Sequence, residues 1–208
     1  MKLQLLQRKI TRVRFKFPMT EEQAVDILTA AYQAEVEYRR RQFVSDKDTN
    51  DNIAKFAKFL TVDTSKFGIM FSGVCGNGKT TLLFAFQNVL NYLVDCGLLE
   101  DNCRISIIDA KEVLPYAKDI KKFSQLRSCD MLAIEDMGRE PLETLDYGNV
   151  LNPVIDLLEY RYNQQLFTAI TTNLTPKEIR EKYGNRIADR FNEMFDNIIF
   201  GNGTYRKS

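Results

Sequence analysis

A glycine-rich segment matches the pattern G-x-x-x-x-G-K-[ST] and reads Gly73-Val74-Cys75-Gly76-Asn77-Gly78-Lys79-Thr80. In such a loop the glycines let consecutive backbone N–H groups turn inward onto phosphate oxygens, with a helix N-terminus behind them. An apolar run, Ile69-Met70-Phe71, precedes the loop and a helical stretch follows it, as the chemistry requires. We expect Lys79 to contact the β- and γ-phosphates and the Thr80 hydroxyl to ligate Mg²⁺. The pattern predicts a nucleotide phosphate site formed by Gly73, Cys75, Gly76, Asn77, Gly78, Lys79, Thr80 and Thr81.

This loop alone does not choose between the reactions that use it, because kinases, GTPases and motor or switch ATPases share it. A GTPase normally carries Asn-Lys-x-Asp to bind guanine, and the chain contains no Asn-Lys dipeptide. A small-molecule kinase lacks support as well, since neither an acceptor pocket nor a lid can be read in the sequence. ATP and Mg²⁺ are therefore the expected cofactors.

Two adjacent carboxylates, Glu135 and Asp136, follow the apolar run Met131-Leu132-Ala133-Ile134. At the carboxyl end of a strand in a parallel sheet, both side chains can face the crevice above the sheet. One carboxylate can then join the Mg²⁺ shell while its neighbour polarises water for in-line attack. We expect Glu135 to be the metal ligand beside Thr80 and Asp136 to be the catalytic group. The alternative is a strand that is merely capped by charge.

A third apolar run ends in polar residues, Thr171-Thr172-Asn173. Asn173 there can orient the attacking water or contact the γ-phosphate, although asparagine is also a common turn residue. Further along, Arg186 and Arg190 lie four residues apart and so share one helical face. An arginine presented to the γ-phosphate of another subunit stabilises the transition state, whereas the structural alternative is an ion pair with Glu193 or Asp189.

Composition excludes several classes of protein. Histidine is absent, so the usual His-assisted serine and cysteine hydrolases cannot operate. The four cysteines contain no Cys-x-x-Cys, so no zinc site is expected. A net charge of +1 argues against a chain that coats nucleic acid by charge alone. No stretch approaches the roughly 20 apolar residues of a membrane span, which makes the cytoplasm the expected location and a membrane partner unexpected.

The elements that must position these residues follow a β-α-β-α order, which predicts an α/β fold with a parallel sheet covered on both faces. The predicted strands are Gly68–Ser72, Ile105–Ile108, Met131–Ile134, Leu166–Thr171 and Asn197–Phe200. The predicted helices are Lys79–Val94, Lys111–Lys122, Asn149–Arg161 and Pro176–Phe195.

Ahead of this core the first 50 residues form a predicted N-terminal extension. Apolar and basic residues alternate from Thr11 to Phe17, which indicates a half-buried strand whose charges protect an edge or contact a nucleic acid or partner. A capping box at Thr20 opens a helix, and we interpret Arg39-Arg40-Arg41 as a solvated cluster at its end. The remainder, 51–208, is the predicted catalytic core.

Several of these segments occur in the same order in bacterial helicase loaders of the DnaC/DnaI type and in transposition helper ATPases of the IstB type. They are the phosphate loop, the acidic pair, Thr172-Asn173-Leu174, the stretch Gly184-Asn185-Arg186-Ile187-Ala188-Asp189-Arg190-Phe191 and the ending Gly203-Thr204-Tyr205-Arg206. The chain resembles this family from about Asn52 to Arg206. The resemblance implies a three-layer P-loop NTPase core of the AAA+ (ASCE) type, with sheet order 5-1-4-3-2. It further implies that Asn173 is the sensor-1 residue, Arg190 the arginine finger and Arg206 a second γ-phosphate sensor.

The sequence departs from the family pattern at four points. The acidic pair is Glu then Asp rather than Asp then Glu or Asp, which predicts slow hydrolysis. Only 18 residues follow Arg190, too few for a full helical lid. The segment between Asp109 and Met131 is shorter than the loader insert associated with single-stranded DNA. The first 50 residues are too few for a full helicase-binding domain.

We therefore expect an ATP-binding, ATP-hydrolysing AAA+ protein that loads or remodels a partner on DNA, in replication or in a mobile element. The expected partners are further copies of the chain or a ring-shaped helicase, transposase or recombinase, with DNA as a weaker expectation. The alternative is a nucleotide-gated adaptor with little turnover. The order of Glu135 and Asp136 favours the adaptor, whereas the set Asn173, Arg190 and Arg206 favours the ATPase.

Overall fold

The computed structural model of the protein describes residues 13–141, 144–146, 149–201, 203 and 205. The first twelve residues and Arg206 lie outside this part. The basic start of the chain and the proposed role of Arg206 therefore stay predictions.

A sheet of five parallel strands forms the middle layer, in the order β2-β3-β6-β1-β7. A separate antiparallel pair, β4 and β5, lies in the connection after β3. Counted in chain order without that pair, the five strands are arranged 2-3-4-1-5, which is the expected order 5-1-4-3-2 seen from the other edge. The strands are β1 (Gly68–Gly73), β2 (Ser106–Asp109), β3 (Met131–Met137), β4 (Thr144–Asp146), β5 (Asn149–Leu151), β6 (Phe167–Thr172) and β7 (Phe195–Phe200).

Helices cover both faces of this sheet. Successive strand residues point to opposite faces, and the residues on each face are buried under one layer of helices. Ile69 and Phe71 join the apolar cluster of α1, α2 and α3, whereas Met70 joins that of α4, α5, α6 and α7. Within the described ranges, every helix is too short or too polar to span a bilayer. The helices are α1 (Glu21–Tyr38), α2 (Lys47–Thr61), α3 (Lys79–Asp95), α4 (Val113–Ala117), α5 (Ile120–Ser128), α6 (Pro153–Gln164) and α7 (Pro176–Met194).

Three predicted helices differ from the structure, each for a local reason. The stretch expected from Lys111 is divided, because Asp119 caps a new helix by accepting hydrogen bonds from the backbone of Lys121 and Lys122. The helix expected from Asn149 begins instead at Pro153, where proline is favoured in the first turn. Helix α7 is broken at Gly184, whose φ of 82° and ψ of 165° are not helical.

The predicted N-terminal strand is wrong over its described part. Residues 13–17 form no strand; the backbone N–H of Phe17 donates to the carbonyl of Leu60 at 2.8 Å. Phe15 and Phe17 nevertheless turn inward, with Phe15 stacked edge-on against Phe86 and Phe167. The alternation thus reflects which side chains face the apolar core, formed here by a helix residue and a strand residue, and not pairing in a sheet.

Helix α1 begins as predicted, with the Thr20 hydroxyl accepting from the backbone of Gln23 and the Gln23 side chain accepting from the backbone of Thr20. Its buried residues, Ala24, Leu28 and Tyr32, belong to the same apolar cluster as Phe71 and Phe86 of the core. The division of the chain at residue 50 remains a prediction. Helix α1 packs directly on the phosphate-loop side of the sheet.

Candidate phosphate and nucleoside site

The glycine-rich loop joins β1 to α3, as the pattern predicts, and its glycines adopt conformations that other residues avoid. Gly78 caps α3 with a φ of 98°. A Cβ atom at this position would lie 2.4 Å from the hydroxyl oxygen of Tyr32 in α1. Both the left-handed backbone and the close approach of α1 therefore require glycine here.

Lys79 is nearly buried and reaches back across the loop. Its ammonium group donates to the carbonyl oxygens of Gly73 at 2.7 Å and Val74 at 2.8 Å, and to Oδ1 of Asn77 at 3.1 Å. It also donates to Oδ1 of Asn173 at 2.9 Å. Two residues 94 positions apart in the chain are thus in direct contact. These four acceptors are uncharged, so a phosphate oxygen would be a stronger partner for the same cation.

The acidic pair lies on a β-bulge at the end of β3. Ile134 pairs with Ile170 and Met137 pairs with Thr172, so Glu135 and Asp136 together oppose the single residue Thr171 of β6. Asp136 has a φ of 53°, and its backbone N–H donates to the Thr171 hydroxyl at 2.9 Å. A bulge redirects side chains. Here it allows both carboxylates to line the same cavity.

That cavity, of about 450 Å³, is called the phosphate cavity below. The predicted residues that it brings together are Cys75, Gly76, Asn77, Gly78, Lys79, Thr80, Thr81, Glu135, Asp136 and Asn173. Gly73 contributes its carbonyl to Lys79 from behind the loop. The oxygen groups of Thr80 and Glu135 face one space, and such groups suit Mg²⁺.

Three arginines that the sequence analysis did not assign to the site also line the phosphate cavity: Arg39, Arg41 and Arg139. Arg39, Arg40 and Arg41 are exposed at the end of α1, as the interpretation of a solvated cluster expects, but that interpretation did not foresee that Arg39 and Arg41 line this cavity. Arg39 pairs with Glu35 at 2.9 Å and lies over the ring of Phe84, which holds it against α3. The run of three arginines is the sequence feature that could have indicated this. Which of the three side chains line the cavity depends on how α1 packs.

A second cavity of about 430 Å³, called the nucleoside cavity below, adjoins the first and shares Arg39, Arg41, Gly76, Gly78 and Thr81 with it. Unlike the phosphate cavity, it offers apolar and aromatic walls beyond the shared residues. They come from α1, from the segment after it and from the C-terminal segment: Tyr32, Val36, Phe43, Val44 and Tyr205.

Tyr205 is fixed at both ends. Its backbone N–H donates to the carbonyl of Gly76 in the phosphate loop at 2.9 Å, and its hydroxyl donates to Asp46 at 2.7 Å. The Thr49 hydroxyl lies 3.0 Å from the Tyr205 oxygen. Burial alone would raise the pKa of Asp46, but hydrogen bonds from Tyr205 and Thr49 outweigh it and lower the pKa. Burial raises the pKa of Tyr32 to about 12, with Tyr205 and Asp46 nearby adding to the shift.

The arginine pair of α7 has a partner that the sequence did not suggest. Arg190 lies 2.7 Å from a Glu159 oxygen of α6 and over the ring of Tyr162, and its side chain is 18% exposed. Arg186 contacts the same carboxylate at 3.1 Å and is 71% exposed. The structural alternative, an ion pair, is thus present but with another partner: Asp189 pairs with Arg180, and Glu193 accepts a hydrogen bond from the Tyr162 hydroxyl. Neither Arg186 nor Arg190 is among the described residues that line the phosphate cavity.

No protein-family model matches the chain, and no curated protein is significantly similar to it. Among solved structures, the chain is similar to a DnaC helicase loader with a TM-score of 0.58 and 20% identity, covering 76% of this chain and 92% of the other. A DnaI structure is similar with a TM-score of 0.55 and 20% identity, covering 76% of this chain and 87% of the other. The core is a P-loop NTPase fold shared with these structures. The expected likeness to DnaC and DnaI is thereby confirmed at the level of the fold.

A more distant match is the AMPPCP-bound DnaA of Aquifex aeolicus, with a TM-score of 0.50 and 18% identity. It covers 75% of this chain and 48% of that one. AMPPCP is an ATP analogue, so a protein of related fold binds an adenine nucleotide.

Proposed function

We propose that the protein binds ATP with Mg²⁺ and hydrolyses it slowly, as a member of the AAA+ loader and helper class that delivers or remodels a partner on DNA. The observation that carries this proposal is the hydrogen bond from Lys79 to Asn173 across a cavity that also holds Glu135 and Asp136. Three separate sequence motifs meet there. The order β3-β6-β1 brings the ends of the three strands together, and the bulge of β3 turns both carboxylates into the cavity that Asn173 and Lys79 also line.

In this proposal the phosphate loop provides binding and the strand ends provide chemistry. The backbone N–H groups at the start of α3 and the Lys79 ammonium hold the phosphate charge. Asp136 accepts the proton of the attacking water while the water oxygen bonds to the γ-phosphorus and the bond to the β-phosphate bridge breaks. Asn173, already in contact with Lys79, orients the γ-phosphate or that water.

Thr80 and Glu135 are the residues that would hold Mg²⁺, and both line the phosphate cavity. When bound, the ion neutralises charge on the β- and γ-phosphate oxygens. Glu135 keeps its carboxylate on the cavity side of the bulge, adjacent to the group that handles the proton.

Lys79→Ala is expected to weaken ATP binding by about two orders of magnitude or more, since the phosphate charge loses its cation from the loop. Equilibrium titration with a fluorescent ATP analogue measures this. Lys66→Ala, which removes a lysine from the surface near Asn192, is the matched control and should bind as the wild type does. Equal affinities in Lys79→Ala and wild type would refute the nucleotide site.

We assign the base and ribose of ATP to the nucleoside cavity, because its aromatic and aliphatic walls adjoin the phosphate loop and its lining does not include the acidic pair. Nothing in the sequence resembles a guanine-binding motif, so GTP should bind more weakly. This placement makes Tyr205 a wall of the nucleotide site.

Tyr205→Ala is expected to weaken ATP binding about five- to tenfold and to leave the affinity for inorganic tripolyphosphate unchanged, because an aromatic wall contacts the nucleoside alone. Competition of both compounds against the fluorescent analogue gives the two affinities. Tyr92→Ala, at an exposed position of α3, controls for the loss of a tyrosine. A parallel loss of ATP and tripolyphosphate affinity would place Tyr205 in the phosphate site instead.

The partner is proposed from the likeness to a protein described as a helicase loader. Further copies of the chain, or a ring-shaped helicase, transposase or recombinase, are the partners we propose, with DNA as a secondary one. Capture on the immobilised protein from native extract, in ATP against ADP, tests this. A ring-shaped DNA-processing protein retained only with ATP is expected; retention that ignores the nucleotide would contradict a nucleotide-dependent delivery role.

A nucleotide-gated adaptor with little turnover is the second candidate. Two observations favour it: Arg139 pairs with Asp136, and Arg190 pairs with Glu159 within the same chain. The first contact occupies the carboxylate proposed to accept the proton of the attacking water, and the second occupies the arginine that the resemblance implies to be the finger. Single-turnover kinetics separate the candidates, because an adaptor binds ATP tightly and leaves it intact at every protein concentration.

A further inference from the structure

Asp136 is held by its own chain in the cavity that it is proposed to serve. Its carboxylate accepts a hydrogen bond from the Arg139 guanidinium, and its backbone carbonyl accepts one from the Arg139 N–H at 3.2 Å. The Arg139 side chain is 55% exposed and that of Asp136 25% exposed. Pairing with Asp136 raises the pKa of Arg139, so the guanidinium stays charged. A carboxylate oxygen that accepts this hydrogen bond is not free to accept one from a water molecule in the cavity.

The residues on both sides of Arg139 are anchored to α7. The Gly138 N–H donates to Oε2 of Glu140 at 2.8 Å, and the hydroxyl of Tyr183 donates to Oε1 of the same carboxylate. The Lys182 ammonium donates to the carbonyl oxygens of Gly138 and Glu140, at 2.8 and 2.7 Å. Glu140 is only 4% exposed. Burial and the neighbouring carboxylate raise the pKa of Tyr183, so it remains a donor.

This anchor lies on the half of α7 that ends at the break at Gly184. The other half carries Arg186 and Arg190. The loop 138–140 therefore connects the acidic pair to the helix that carries Arg190, which the family resemblance implies to be an arginine finger. Glu140, Lys182 and Tyr183 have no role in the hydrolysis proposed above. Glu140 and Tyr183 are buried, and the hydrogen bonds of all three residues hold the backbone on both sides of Arg139.

We propose that Arg139 is a positioning residue that restrains hydrolysis by holding Asp136, and that the Glu140–Lys182–Tyr183 anchor keeps it in place. The inference rests on the proposed ATPase activity and concerns the regulation of the same site. Displacement of α7 about Gly184 by a partner or a second copy of the chain frees Asp136 by moving the loop. This displacement changes whether Asp136 is available, and the bonds made and broken in hydrolysis stay as described above.

Arg139→Gln is expected to raise kcat about fivefold, since it frees the carboxylate, while ATP affinity stays equal or falls, because Arg139 also lines the phosphate cavity. Arg139→Lys should retain most of the restraint, and Tyr183→Phe should raise kcat in the same direction through the anchor. Arg104→Gln removes an exposed arginine that pairs with Asp95 and Asp101 elsewhere, and it should have no effect. In an Asp136→Asn background the increase due to Arg139→Gln should disappear.

A fall in kcat in Arg139→Gln overturns the proposal, because Arg139 would then act as a phosphate contact. An unchanged kcat overturns it as well, because Arg139 would then be a surface charge with no role in hydrolysis. An increase that survives in the Asp136→Asn background overturns it as well. Titration of every variant with the fluorescent ATP analogue separates the two levels of inference. Absence of ATP binding in the wild type refutes the nucleotide site, whereas normal binding and hydrolysis without an Arg139 effect refutes the restraint alone.

Discussion

Asp136→Asn is expected to bind Mg²⁺ and ATP as the wild type does and to lose hydrolysis by about 10²–10⁴, the usual contribution of a general base. An amide has nearly the shape of the carboxylate and can keep the hydrogen bond from Arg139, but it cannot take a proton from water. The fold should be unaffected, because the backbone N–H of Asp136 and not its side chain bonds Thr171. Phosphate release and nucleotide titration, measured on the same preparation, give the two quantities.

Glu135→Gln is the matched control, one residue away on the same bulge. It removes the proposed metal ligand, so it should raise the Mg²⁺ concentration needed for half-maximal hydrolysis while leaving some activity at saturating Mg²⁺. If Asp136→Asn hydrolysed ATP normally and Glu135→Gln did not, the two carboxylates would have the opposite roles to those proposed. Glu135→Asp extends the test, because it restores the first residue of the usual family pattern and should hold or raise the rate.

The parts of the fold that could be predicted are those governed by local rules. The phosphate loop fixes β1 and α3 around it, since only a strand before and a helix after present its N–H groups correctly. Apolar runs of strand length separated by helices imply a covered parallel sheet. The strands β1, β3 and β6 were predicted within a few residues for this reason.

The missed features depend on contacts between distant segments. Apolar residues alternate with basic ones at Phe15 and Phe17, and this pattern suits both a strand paired in a sheet and an extended segment that packs on the core without pairing. Here the segment is of the second kind, and the backbone N–H of Phe17 donates to the Leu60 carbonyl at the end of α2. Arg39 and Arg41 enter the site because α1 packs against α3. The local sequence contains no information about that packing angle.

The acidic pair illustrates both cases. Two carboxylates after an apolar run predicted a site, and the cavity contains both. The bulge that turns them to the same side is visible only in the register between β3 and β6, where Ile134 and Met137 pair with Ile170 and Thr172. Likewise, Arg139 and Glu140 resemble ordinary loop charges until Glu140 is found buried against Tyr183.

ATP turnover per subunit is expected to rise with protein concentration, or to appear only with a partner, and Arg190→Ala should remove that rise while leaving ATP affinity almost unchanged. Arginine fingers supplied in trans contribute about 10³–10⁵ in rate, so an isolated subunit should be nearly inactive. The structure supplies the reason for testing assembly, since Arg190 contacts Glu159 of its own chain and does not line its own phosphate cavity. Rates measured over a hundredfold range of protein concentration give the result.

A purely structural role for Arg190 makes a different prediction, and Glu159→Gln distinguishes the two. If Arg190 serves only its ion pair and its stacking on Tyr162, Arg190→Ala should cost about 1–3 kcal/mol, lower Tm by several degrees and leave the rate per subunit unchanged. Glu159→Gln removes the charge of the partner but keeps the guanidinium. A trans-acting Arg190 then predicts a lower Tm with turnover that is retained or increased, because the arginine is freed.

Arg186→Ala completes the comparison, since Arg186 is the more exposed of the two and shares Glu159. Rates that stay flat with concentration and equal in wild type and Arg190→Ala would exclude the trans-acting arginine and leave the adaptor.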